Sequence, residues 1–170
     1  MVFNYTTNLW PNTEERFFDK ITIKHIRQSG PTCVATVLAM LTNKKPEDFI
    51  DKINTQNPVS WSLALSEYCM KLAYCPTDVR KLKFYMDELI SLNDLFLLCY
   101  YTPNDGSDIL KDPDEKGWIC GSHVVILHKD KIFDPNANRE KITDAKNHPC
   151  NNKHTKRIFR VVPADYPRGL

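Results

Sequence analysis

The sequence predicts an α+β fold, with helices first and an antiparallel sheet after them. Three observations carry this expectation. Val34, Val37, Leu38 and Leu41 recur at the spacing of one helical face. Asp94-Leu-Phe-Leu-Leu-Cys-Tyr-Tyr101 is a continuous apolar run of strand length, the signature of a central strand. Trp118–His128 and Ile132-Phe133 flank a tight turn at Lys129–Lys131, the pattern of a hairpin. Helical patterns that precede a run of antiparallel strands define the α+β class. The 170 residues are an ordinary length for one domain with a real core.

The elements follow in order. Pro11–Thr13 reads as a turn, with Thr13 capping a short helix through Phe18. Ile21-Thr-Ile-Lys-His-Ile26 alternates and predicts a short strand leading to Gln28. A helix is expected from about Thr32 to Thr42. Asn43-Lys-Lys45 breaks it, and Pro46 starts a short helix with acids in its first turn. A second long helix is expected from about Ser60 to Tyr74, with Trp61, Leu65, Tyr68 and Leu72 on one face, and a further one within Lys81–Leu92. The central strand over 94–101 comes next. Thr102–Gly117 is a polar loop long enough to be functional. After the hairpin, 137–147 reads as a short helix or loop, and Ile158–Val162 closes the sheet.

Hydrophobic residues make up 42% of the chain and charged residues 26%, an ordinary soluble composition. A formal net charge of +2 argues against nucleic acid as a partner, and the basic run Lys153–Arg157 reads as a strand entrance. No apolar stretch has membrane-spanning length, and the N-terminus lacks the basic start, apolar segment and cleavage site of a secretory signal. The expected location is the cytoplasm, with no membrane partner. The six cysteines should then be mostly reduced.

The chemistry centres on Gln28-Ser-Gly-Pro-Thr-Cys33. A Gly-Pro turn and the candidate N-cap Thr32 place Cys33 in the first helical turn, where the helix dipole and unpaired N–H groups favour thiolate. A nucleophilic cysteine needs a base, and the base an orienting group. His123 opens the Val-Val-Ile-Leu strand, and Asp134 follows eleven residues later across the hairpin. The Gln28 side-chain amide and the Cys33 backbone N–H would supply an oxyanion hole. Nucleophile, base, orienter and oxyanion donor together describe an acyl-transfer site. Asp130 and Asp144 are alternative orienters; Ile132-Phe133 before Asp134 and Pro135 after it favour Asp134.

Gln-x-Gly-Pro-x-Cys opening a helix, then His-Val-Val and Asp-Pro on successive strands, resembles the papain-like cysteine peptidases. Within them it is most similar to the bacteriocin leader-peptidase-like branch. The resemblance covers roughly residues 21–45 and 95–162. It implies a helical half bearing Cys33 packed on a C-terminal antiparallel sheet bearing His123 and Asp134, with Gln28 as oxyanion donor. It implies a protein or peptide substrate, cleaved at a peptide or isopeptide bond, and no cofactor. The chain departs from the pattern in carrying Val34 directly after the cysteine, where many relatives have glycine. Transporter and secretion segments do not accompany it, so a freestanding processing or deconjugating peptidase is expected rather than a leader peptidase proper.

Rival readings remain at this level. Cys120-Gly-Ser-His123 and Cys150-x-x-x-His154 have zinc-knuckle-like spacings. A papain-like site also suits an amidase or acyltransferase, since all share a thioester. A non-enzymatic binding or inhibitor protein that keeps the fold, using the 102–117 loop, is the other class. His25 and His128 read as solvated strand ends, His148 as a loop residue beside Pro149, and Cys69, Cys75 and Cys99 as core.

Overall fold

Leu95, Phe96, Leu97 and Leu98 are all fully buried, so this strand has protein on both faces. Each such side chain contributes about 1.5–3 kcal/mol by leaving water, which fixes the strand at the centre of the structure. The computed structural model describes residues 8–103, 121–136 and 142–170. In chain order its elements are α1 (Cys33–Thr42), α2 (Glu47–Ile50), α3 (Pro58–Ser66), β1 (Met70–Cys75), α4 (Lys83–Leu92), β2 (Leu95–Tyr101), β3 (Ser122–His128), β4 (Lys131–Phe133), β5 (Ile142–Asp144) and β6 (Thr155–Pro163). Two short 3₁₀ turns, Ala145–Asn147 and Pro149–Asn152, precede β6. The described strands form one antiparallel sheet in the order β1-β6-β2-β3-β4-β5. The α+β class is as the sequence predicts.

The two faces of the sheet are covered differently. One face packs Leu97, Cys99, Val124, Ile126 and Phe159 against α1 and α3 through Val37, Leu38, Trp61 and Leu65. The other packs Phe96, Leu98, Val125, Leu127 and Ile158 against α4 through Tyr85, Met86 and Leu89. Alternation along β2, β3 and β6 sends successive side chains to opposite cores. The expected division into a helical half and a C-terminal sheet is therefore too simple: α4 lies on the far face, and β1, from the first half of the chain, joins the sheet beside β6.

Three local expectations give way to tertiary contacts. The helix predicted from Ser60 to Tyr74 ends at Ser66, and Cys69 takes φ 63, a turn that reverses the chain. Residues 70–75 then pair with β6 along the whole of β1. Their apolar residues suit a helix face as well as two buried strand faces, and the sheet edge decides. The helix predicted after Thr13 does not form: the backbone N–H groups of Phe17 and Phe18 donate to the Asp94 carboxylate instead, at 2.9 and 2.8 Å. That carboxylate also takes Arg160 at 2.6 Å, both groups fully buried, with the guanidinium against the rings of Trp10 and Phe17. The strand predicted over Ile21–Ile26 runs without ladder partners, and its function is to tie down the residues that precede Cys33.

Candidate active site

Gly30 has φ 66, the left-handed conformation that glycine adopts without strain, and Pro31 follows it into α1. The helix begins at Cys33, so this residue's N–H lacks an intrahelical acceptor. Thr32 stands at the N-cap position as expected but does not cap with its side chain; its Oγ1 donates to the Ser29 carbonyl. The approach to the helix is anchored elsewhere. His25 Nε2–H donates to the Asp134 carbonyl at 2.5 Å, and Gln28 N–H donates to the Pro135 carbonyl at 2.7 Å. The loop bearing Cys33 is thus bound to the same Asp-Pro stretch that carries the orienting carboxylate.

The hairpin register explains why His123 and Asp134 meet. Ile126 pairs with Phe133, so continuation of the ladder sets Asp134 opposite Val125, two residues from His123 and on the same face. His123 Nε2–H donates to Asp134 Oδ1 at 2.8 Å. The imidazole's remaining nitrogen, Nδ1, is left for Cys33, which lines the same cleft and acts on the His123 charge. Tyr100, registered opposite His123, packs its ring edge-on to the imidazole at 5.7 Å. Burial pulls the His123 pKa down. The hydrogen bond to Asp134, the neighbouring Cys33 and the Asp134 charge more than offset it and hold the group at about 9. The protonated imidazole is favoured there.

Asp134 is 1% exposed and collects three donors: His123 and the Asn136 N–H on Oδ1, and His148 on Oδ2 at 2.8 Å. Burial alone would raise its pKa; those donors hold the carboxyl well below the usual carboxylate range. His148 is the residue that the sequence reading missed. Its Nδ1 accepts the Cys150 N–H at 3.0 Å, so its proton sits on Nε2 and must donate to Asp134. It lies in the loop between the two 3₁₀ turns, as read, but it is buried and bonded to Asp134, and no local motif marks that. His25 and His128 also differ from expectation: both are half-buried and hydrogen-bonded to backbone carbonyls. The alternative orienters lie elsewhere. Asp144 pairs with Lys131 at the surface, and Asp130 belongs to the hairpin turn.

Gln28, Cys33 and His123 line one cleft of about 590 Å³, together with Trp61, Cys99 and Val124. Gln28 donates one Nε2 proton to the Gly30 carbonyl at 2.9 Å. The second amide proton remains, and Oε1 is buried without a partner among the described residues. Gly121 lies on the cleft wall, and a Cβ there would meet Thr102 Oγ1 at 2.8 Å. The zinc reading falls partly outside the described residues, because Cys120 does. Among those described, no group of three or more histidine, cysteine or acidic side chains could hold a metal ion. Burial pushes the Cys75, Cys99 and Cys150 thiols up to about 12, which suits core residues, whereas Cys69, expected in the core, is exposed because the chain reverses there. The 102–117 loop and Trp118 lie largely or wholly outside the described residues.

The His123 shift has a consequence for stability. Its ordinary pKa is about 6.5 and its folded one about 9, so folding takes up a proton between these values. The stabilisation is complete below the lower value and lost as pH rises through the upper one. The unfolding free energy of the native chain minus that of His123→Ala should therefore shrink by up to about 3 kcal/mol between about pH 6.5 and 9.5. Urea unfolding across that range measures it. A difference that stays level or grows contradicts a charged His123.

No protein-family model matches the chain, and no curated protein matches it. Among the described residues, no helix is long and apolar enough to cross a membrane.

Proposed function

We propose that the protein is a cysteine peptidase of papain-like architecture that hydrolyses a peptide or isopeptide bond. The observation that carries this reading is the hydrogen-bonded pair His123–Asp134 with Cys33 on the same cleft as the imidazole. The Cys33 sulfur attacks the scissile carbonyl carbon. The oxyanion that forms lies within the field of the Cys33 N–H and the second Gln28 amide proton, one such donor being worth about 3–4 kcal/mol of barrier. His123 passes its Nδ1 proton to the leaving amine, and a thioester remains. Water then loses a proton to His123, attacks the thioester, and releases the acid and the free thiol. Asp134 keeps the imidazole in orientation and stabilises its cation throughout. The work of such an enzyme in a reducing cytoplasm is in keeping with the free thiols of the described cysteines.

Thiol reactivity tests the reading without a known substrate. Cys69 is exposed and supplies an internal control, while Cys75, Cys99 and Cys150 are buried. Iodoacetamide at pH 6, followed by peptide mass spectrometry, should modify Cys33 at least about tenfold faster than Cys69, because a nucleophile paired with a base is activated by it. His123→Ala should abolish the difference. Equal rates at Cys33 and Cys69 in the native chain would favour a binding protein that keeps the fold.

A further inference from the structure

We propose that Arg157 makes the cleft selective for substrates that carry a carboxylate next to the scissile acyl group. The inference rests on Cys33 being the nucleophile and adds the chemistry of what it attacks. Arg157 lies on β6 in register with Cys99 of β2, on the sheet face that packs beneath α1. Cys99 feels the charges of both Arg157 and Cys33, so the guanidinium and the sulfur flank the same buried residue.

The local backbone is built for this. A regular strand sends successive side chains to opposite faces. The ladder between β2 and β6 shifts register between Cys99 and Tyr100, where Cys99 pairs with Arg157 but Tyr100 with Thr155. Lys156 is the extra residue of this bulge. Bulges re-aim side chains and gather beside active sites, and here both Lys156 and Arg157 line the cleft.

Charge balance supplies the second argument. Other described cations meet either a carboxylate, as Arg160 does Asp94 and Arg80 does Asp78, or a backbone carbonyl, as Arg16 and Arg168 do. Arg157 is half-buried and has no hydrogen bond or ion pair among the described residues. No aspartate or glutamate is among the described residues that line the cleft. A planar guanidinium with free donors is matched by a carboxylate, which it can bind through two parallel hydrogen bonds. The carboxylate can come from an acidic side chain or from a free chain terminus.

Iodoacetate and iodoacetamide test this, since they differ only in carboxylate against amide. In both, the sulfur displaces iodide and forms a thioether. The ratio of the two rates at Cys33 cancels any change in thiolate content. In the native chain this ratio should exceed that at Cys69 by about tenfold, Arg157→Gln should remove the excess, and Arg157→Lys should restore part of it. Matched peptidyl vinyl sulfones, glutamate against glutamine and free against amidated terminus, then tell the two sources apart. A fast Cys33 whose rate ratio equals that of Cys69, or is unmoved by Arg157→Gln, overturns the carboxylate selectivity alone. A Cys33 no faster than Cys69 with either reagent overturns the nucleophile reading and this inference together.

Discussion

Asp134→Asn is expected to lower turnover about 10⁴-fold, the loss typical of removing the carboxylate that orients a catalytic histidine. Two effects add. The neutral amide no longer stabilises the His123 imidazolium. It also has one acceptor oxygen where three donors converge. With oxygen toward His123 and Asn136, the new NH₂ faces the His148 Nε2–H, whose proton is held there by the Cys150 N–H on Nδ1. With oxygen toward His148, the NH₂ faces the Asn136 N–H instead. Either orientation sets donor against donor, at a cost of about 1–3 kcal/mol. Asp134→Ala removes all acceptors and should cost about 3–5 kcal/mol. Peptide turnover and thermal unfolding of both variants check this. Activity within tenfold of native in Asp134→Asn would remove the carboxylate from the mechanism.

Cys33→Ala should eliminate turnover, because Cys99, the other described thiol at the cleft, is buried with its pKa pushed up to about 12. Its melting temperature should stay within about 3 °C of native, since a half-buried sulfur at a helix start contributes about 1 kcal/mol or less. The pairing of complete inactivity with an intact fold separates a chemical role from a packing one. Persistent turnover in this variant would end the peptidase proposal. If turnover vanished only because the fold collapsed, the thermal transition would reveal it.

The legibility of the fold varied with how far each residue's fate depended on neighbours in the chain. The helix bearing Cys33 was readable because Val34, Val37, Leu38 and Leu41 form a face whatever packs on it, and the Gly-Pro turn marks its start. The central strand was readable because Leu95–Leu98 are apolar without alternation. The stretch Trp61–Leu72 misled, because its apolar spacing fits a helix and the edge offered by β6 was invisible. Phe17 and Phe18 misled for the same reason: the acceptor that wins their N–H groups is Asp94, far along the chain.

By itself the sequence determined the α+β class, the start of the helix that bears Cys33 and the hairpin that makes His123 and Asp134 neighbours. These rest on local periodicity and turn chemistry. Only the tertiary structure decided that Cys33 and His123 share one cleft, that His148 holds the second oxygen of Asp134, and that Arg157 lies in the cleft wall. Each of these depends on strand register or on hydrogen bonds between distant segments, and a chain read residue by residue does not reveal which distant partners will be close enough to compete.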